Sequence, residues 1–326
     1  MNMNIRNLIL VALIASATTG CAALGSLLSS NEEVTIGAAL PSRVFHFKDG
    51  GEAAFYVLGL GDEAFHDTVI FFVSGSGCSS IKYRLDSYFA PIRDSMNATV
   101  FALQKRAIDE ENRAGRFCSS AFHTTDYIGQ TLADQQEFVE VQLAKLPFEP
   151  KAVVLLGASE GTIIVSRLAA TAPRITHVGL VGNGGATMRE NLEALSRSSW
   201  YLRNHESVFS AIAREPDNID RKVWGHSYKY WASILDINIG DDLIRLDIPI
   251  IVAMGEKDNS VPVDSARRLR DRFRQAGKTN LRLLICPNAN HRLEDRENGK
   301  SCVGDFLSAL RDAAQGVAMP GDGGGE

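Results

Sequence analysis

Five residues constrain this chain more than any others: Gly157-Ala158-Ser159-Glu160-Gly161. Ahead of them runs Ala152-Val153-Val154-Leu155-Leu156, an apolar, β-branched run bounded by Pro150 and Gly157, which reads as a buried strand. Behind them runs Thr162 to Ala170, ended by Pro173, which reads as a helix packed on a sheet. A strand that becomes a helix in so few residues turns sharply, and only small flanking side chains clear the neighbouring backbone. The same turn lifts the serine hydroxyl off the sheet and points a helix N-terminus at it. Ser159 is therefore the candidate nucleophile. A loop serine between flexible glycines would share the spelling but not the strand before and the helix after.

Further apolar runs lie at Thr68 to Val73, Thr99 to Leu103, Ile175 to Val181, Pro249 to Met254 and Leu281 to Ile285. They are continuous rather than alternating, so their strands are covered on both faces, as in a parallel sheet with crossover helices. The expected class is α/β: a mostly parallel central sheet with helices on both faces, spanning residues 34–318. Residues 34–59 alternate instead (Val34-Thr35-Ile36, Arg43 to Phe47, Ala54 to Val57), and Asp49-Gly50-Gly51 signals a hairpin, hence an antiparallel edge. Ile128, Leu132, Val139, Leu143 and Leu146 mark one helix face; Val263, Ala266, Leu269 and Phe273 mark another, closed by Gly277. Between Asn183 and Asp247 no strand is evident, while Trp200, Tyr201, Phe209, Trp224, Tyr228, Tyr230 and Trp231 concentrate there. That interval is expected to form a helical lid at about residues 184–247, most of its rings packing onto the sheet and a minority facing a pocket. Gly59-Leu60-Gly61-Asp62-Glu63-Ala64 spells a dinucleotide fingerprint but precedes a strand, so no helix N-terminus would meet a pyrophosphate; it reads as a turn.

With 326 residues and 45% hydrophobic content, the chain can bury one large core or two modest ones. Its net charge of −5 carries no basic stripe, which argues against a nucleic-acid partner. No histidine or acid pair has metal-ligand spacing, and neither metal nor cofactor is expected. The N-terminus differs from the rest: Arg6, then apolar Leu8 to Ala15, then small residues down to Gly20-Cys21. The order resembles a bacterial lipoprotein signal, in which Cys21 would be lipidated and become the mature terminus. Residues 1–21 are thus read as a signal peptide and 22–33 as a tether. That places the chain in the bacterial cell envelope, anchored to a membrane and facing the periplasm; ordinary secretory cleavage, giving a soluble or secreted form, is the alternative. Export would put the other four cysteines where disulfides persist. Of three possible pairings, Cys78 with Cys118 and Cys286 with Cys302 would each join neighbouring loops at the carboxyl edge of the sheet; buried free thiols are the alternative. The Gly- and acid-rich tail 319–326 is expected to lack a fold.

A serine hydroxyl needs a base within hydrogen-bond reach, usually a histidine oriented by a carboxylate. Beyond the Pro249 to Met254 run comes Gly255-Glu256-Lys257-Asp258-Asn259-Ser260-Val261-Pro262, a turn that offers Asp258 as the orienting acid, with Glu256 its nearest rival. Beyond the next run comes Cys286-Pro287-Asn288-Ala289-Asn290-His291, which offers His291 as the base. For the oxyanion, the backbone N–H of Glu160 is one candidate donor. The other falls in Ser74-Gly75-Ser76-Gly77-Cys78, at Ser76 or Gly77, where small residues let N–H groups turn inward.

From about residue 53 to 315 the chain resembles the α/β-hydrolase superfamily: Ser159 in the elbow motif, Asp258 after a late strand, His291 after the last one. Ser74-Gly75 stands where the commonest family pattern has His-Gly, and Gln104-Lys105-Arg106 matches no family motif. The resemblance implies a serine hydrolase cleaving carboxylic esters through an acyl-enzyme, on a small-molecule, acyl or peptidyl substrate. A peptidase or amidase on the same residues is the second possibility. A non-catalytic envelope binding protein that keeps the fold is the third.

Overall fold

The apolar runs become strands of one eight-stranded sheet in the computed structural model, which describes residues 39–61 and 66–317. The expected signal peptide, Cys21, the tether, Val34-Thr35-Ile36 and the tail lie outside the described residues. The antiparallel edge is β1 (Arg43–His46) and β2 (Glu52–Leu60), joined across Asp49-Gly50-Gly51; β2 also pairs antiparallel with its other neighbour. The parallel strands are β3 (Thr68–Val73), β4 (Ala98–Leu103), β5 (Ala152–Ala158), β6 (His177–Val181) and two later ones. Between those groups lies a two-residue hairpin, β7 (Lys222–Val223) with β8 (His226–Ser227). Then come β9 (Ile250–Gly255) and β10 (Leu281–Cys286). The order across the sheet is β1-β2-β4-β3-β5-β6-β9-β10. After β3 the chain steps outward to β4, then returns across β3 to lay down β5. The crevice where strand order reverses, outside the carboxyl ends of β3 and β5, is where open α/β sheets place their ligands.

Every residue of β3 and of β9 is buried, as expected for strands covered on both faces. Period-two alternation divides them: Val69, Phe71, Leu155, Val252 and Met254 face one core, and Ile70, Phe72, Leu156, Ile251 and Ala253 face the other. Two helices cover the second core, α1 (Leu85–Phe89) and a C-terminal one. After the short α2 (Ser120–Thr125), the first core lies under α3 (Ile128–Lys145), α4 (Gly161–Thr171) and the insert, comprising α5 (Met188–Ser196), α6 (His205–Arg214), α7 (Tyr228–Ile234) and α8 (Ile239–Leu243). The chain closes with α9 (Asp264–Gln275), again on the first core, and α10 (Val303–Ala314) on the second. Gly277 follows α9 at φ +68°, the left-handed position that favours glycine at a helix end.

The insert is helical apart from the β7–β8 hairpin, which corrects the expectation of no strand between Asn183 and Asp247. Two-residue strands are too short to show a period. Its helices start from local chemistry. Thr187 and Glu190 form a reciprocal capping box at α5, and Ser227 accepts the Tyr230 N–H at 3.2 Å to start α7. The Trp231 indole donates to the Val223 carbonyl at 2.8 Å, pinning α7 to the hairpin. Most of the aromatic rings pack inward as expected, with Phe209, Tyr228, Tyr230 and Trp231 buried and Trp200 63% exposed.

Candidate active site

Ser159 sits between β5 and α4 with φ +52°, left-handed for a residue with a side chain, and its N–H donates to the Val181 carbonyl at 2.7 Å. Strain of this kind costs on the order of 1–3 kcal/mol and persists only where its surroundings enforce it. The enforcement is visible at the two flanking glycines. A Cβ on Gly157 would lie 2.5 Å from the Gly161 carbonyl oxygen, and one on Gly161 would lie 2.2 Å from that of Val73. The elbow is wedged against the end of β3, and no side chain fits at either position.

Asp258 and His291 arrive from β9 and β10. The two turns are stitched together: the Glu256 N–H donates to Cys286 O and the Lys257 N–H to Ala289 O, each at 2.9 Å. The Asp258 side chain is fully buried. Its Oδ1 accepts the N–H groups of Ser260 and Val261 at 2.8 and 2.9 Å, which aims Oδ2 at His291 Nδ1, 2.7 Å away. On the far side of the ring, His291 Nε2 lies 3.0 Å from Ser159 Oγ. The ring rests on Gly182 (φ +75°), where a Cβ would come within 2.8 Å of it. Three residues read separately from the chain thus share one hydrogen-bonded line. Glu256 is exposed and accepts the Asn288 N–H instead.

Of the loop after β3, the residue lying against Ser159 is Gly75: a Cβ there would be 3.1 Å from Ser159 Cβ. Ser76 and Gly77 follow directly, Gly77 with φ +90°. The cysteines pair as Cys78–Cys118 and Cys286–Cys302, with Cα separations of 5.6 and 6.1 Å. The first bond begins two residues beyond Ser76, the second five residues before His291. Loop-closure entropy assigns about 4 kcal/mol to the first and about 3 kcal/mol to the second. A Cys78→Ser/Cys118→Ser chain is therefore expected to unfold in urea with about 2–4 kcal/mol less stability; an unchanged unfolding curve would mean that this bond contributes nothing.

One group of residues near the site went without a role in the sequence. Lys105, two residues past β4, has its Nζ 2.7 Å from Asp126 Oδ1 and 2.7 Å from Glu160 Oε1, with side-chain exposures of 8%, 1% and 3%. Asp126 Oδ2 in turn lies 3.3 Å from His226 Nδ1, and the His226 ring stacks on Tyr230 at 3.9 Å. Burial opposes the Lys105 charge, but Glu160 and then Asp126 outweigh it and hold its pKa above the ordinary lysine value. Burial likewise opposes the Asp126 carboxylate, and Lys105 then His226 bring its pKa below the ordinary one. Burial, followed by the charges of Glu160 and Asp126, drives the Tyr230 hydroxyl well above its usual range. No motif flags this set, since its members come from four separate stretches of chain. Nothing in the sequence marks it, since Lys105 opens the mixed-charge stretch Lys105 to Arg116, which by itself reads as a solvated loop.

Among the described residues, no three His, Cys, Asp or Glu side chains are placed to hold a metal ion. None of the curated proteins matches this chain in sequence. Solved structures share its fold at low identity. The acylaminoacyl peptidase of Pyrococcus horikoshii superposes with TM-score 0.61 and 13% identity over 88% of this chain, which spans 43% of that enzyme's length. Est1E from Butyrivibrio proteoclasticus gives 0.58 and 11%, covering 86% of this chain and 99% of that one. The Pyrococcus furiosus esterase Pf2001 gives 0.54 and 15%, covering 83% and 91%. All three bear out the α/β-hydrolase fold. In sequence, the model of the prolyl oligopeptidase family matches residues 107–311, well over half of the chain. The matched region takes in the elbow, the acid turn and the histidine loop together, and this serine hydrolase chain belongs to the prolyl oligopeptidase family.

Proposed function

We propose that this chain hydrolyses carboxylic esters through an acyl-enzyme formed at Ser159. The observation that carries the reading is the unbroken line from Asp258 through His291 to Ser159, at 2.7 and 3.0 Å. As Ser159 Oγ bonds to the ester carbonyl carbon, its proton passes to His291 Nε2. Asp258 accepts from Nδ1 throughout, keeping the tautomer that makes Nε2 the base and stabilising the imidazolium. The carbonyl oxygen becomes an oxyanion held by the Glu160 N–H and an N–H from the Ser76–Gly77 turn. The carbon–oxygen bond to the alcohol then breaks, and His291 returns the proton to the leaving oxygen. Water repeats the sequence on the acyl-enzyme, releasing the acid and restoring Ser159. The insert serves as a lid over this site.

A second reading, amide cleavage by the same steps, is favoured by the family to which the chain belongs. Purified protein is expected to turn over short-chain p-nitrophenyl esters, to take a fluorophosphonate label at Ser159, and to leave matched aminoacyl p-nitroanilides intact. Comparable kcat/KM on esters and anilides would shift the assignment to amide cleavage. Folded protein that refuses the label would leave only a binding role. Envelope location through lipidated Cys21 belongs to the same proposal; the charged, apolar and small-residue order of residues 6–21 supports it, as do two disulfides suited to an oxidising compartment.

A further inference from the structure

Glu160 is an unusual neighbour for a nucleophile. Its backbone N–H is the candidate oxyanion donor, yet its side chain is a carboxylate, 3% exposed, whose Oε2 is buried with no hydrogen-bond partner. A buried carboxylate without compensation is strongly unfavourable. It has two compensations here: it precedes the first residue of α4, where the helix dipole favours negative charge, and its Oε1 meets the Lys105 ammonium at 2.7 Å. That ammonium is also held by Asp126 at 2.7 Å, and Asp126 carries His226, whose ring lies flat on Tyr230 in the insert. Lys105 Nζ is also 5.7 Å from the centre of the Phe122 ring and 6.0 Å from that of Tyr230. A nearly buried lysine held by two carboxylates, one of them on the residue after the nucleophile, does more than pack.

We propose that Lys105 is a positioning residue for the oxyanion hole: by drawing the Glu160 side chain back into the protein it sets the direction of the Glu160 N–H, and through Asp126 and His226 it ties that direction to the seating of the insert. The inference rests on the hydrolase reading above and adds a device to it. Lys105 touches neither Ser159 nor His291, so its removal acts on the developing oxyanion and not on the proton relay. An oxyanion donor that is misaimed loses part of the hundred- to thousand-fold it normally contributes to rate. The loss falls on kcat because the donor's interaction strengthens in the transition state.

The test uses the full chain and one p-nitrophenyl ester that the parent hydrolyses. Glu160→Gln keeps the backbone N–H and the side-chain size but cancels the charge, and is expected to lower kcat about tenfold with KM within threefold. Lys105→Met, which leaves two carboxylates facing each other, is expected to lower kcat about a hundredfold; Lys105→Arg is expected to recover part of that. The double variant Lys105→Met/Glu160→Gln should be no worse than Lys105→Met alone, because the two changes act on one contact. A boronate transition-state analogue should lose affinity by the same factors as kcat. Thermal unfolding by circular dichroism establishes that each variant folds; should Lys105→Met not fold, Glu160→Gln and the double variant decide. Folded variants with kcat within threefold of the parent, or losses confined to KM, overturn the proposal while leaving Ser159 chemistry intact. A parent chain that neither hydrolyses the ester nor takes the fluorophosphonate label removes both.

Discussion

Replacing Ser159 with alanine is expected to lower ester kcat by about 10⁵- to 10⁶-fold and to abolish fluorophosphonate labelling, with the fold intact. The size follows from the wiring. His291 Nε2 points at Oγ and at no other nucleophile, so nothing replaces the acyl-enzyme route once Oγ is gone. What survives is the slower attack of water helped by the oxyanion donors, a residue of about 10³–10⁴ over the uncatalysed rate. Alanine keeps the left-handed backbone at 159 and fills no new space, so stability should change by no more than about 1 kcal/mol. His291→Ala is expected to lose nearly as much, and the double variant little more, since the residues act as a unit. Turnover in purified Ser159→Ala above about a hundredth of the parent rate, with contaminating esterase removed, would relocate the nucleophile.

Gly161→Ala is expected to cost at least about 3 kcal/mol of stability, or to prevent folding, although it adds one methyl group. That methyl would sit 2.2 Å from the Val73 carbonyl oxygen and 2.7 Å from that of Ser74. Both are backbone atoms at the end of a buried strand, so no side chain can swing aside. Relief would require β3 and β5 to separate, opening the hydrophobic layers on both faces of the sheet. It would also carry Gly75 away from Ser159, so any folded fraction should be nearly inactive. Gly277→Ala supplies the contrast. It too changes a glycine, at φ +68°, but nothing lies within 4 Å of the added carbon, and only the backbone penalty of about 1–2 kcal/mol applies. Urea unfolding of the two variants side by side separates collision from conformational cost; equal losses would show that the elbow is not wedged as described.

The need for small residues around Ser159 follows from the abrupt change of period alone, but the group for which Gly161 makes room is the Val73 carbonyl of β3, some ninety residues earlier in the chain. Gly182 and Gly255 make the same point. Each carries no local signal beyond ending a strand, and each is required because a later loop lies on it: the His291 ring on Gly182, and the Asn290 carbonyl, 2.1 Å from where a Cβ would be, on Gly255. The β7–β8 hairpin leaves no trace in the sequence pattern because strands of two residues cannot display an alternation.

Chemistry written into single residues and their neighbours was already settled along the chain. Apolar runs make a two-faced parallel sheet, a strand-to-helix turn exposes a serine, and an acid and a histidine follow at later strand ends. Such features need only local sterics and the hydrophobic period, which act over a few residues. The meeting of Lys105 with Asp126 and Glu160, the stacking of His226 on Tyr230, and the fit of β3 against the elbow belong to the folded molecule alone. Each depends on which strands become neighbours and on the exclusion of water between them, and a charge pair or a steric contact acquires its strength only when burial has lowered the dielectric and packing has removed the room to move.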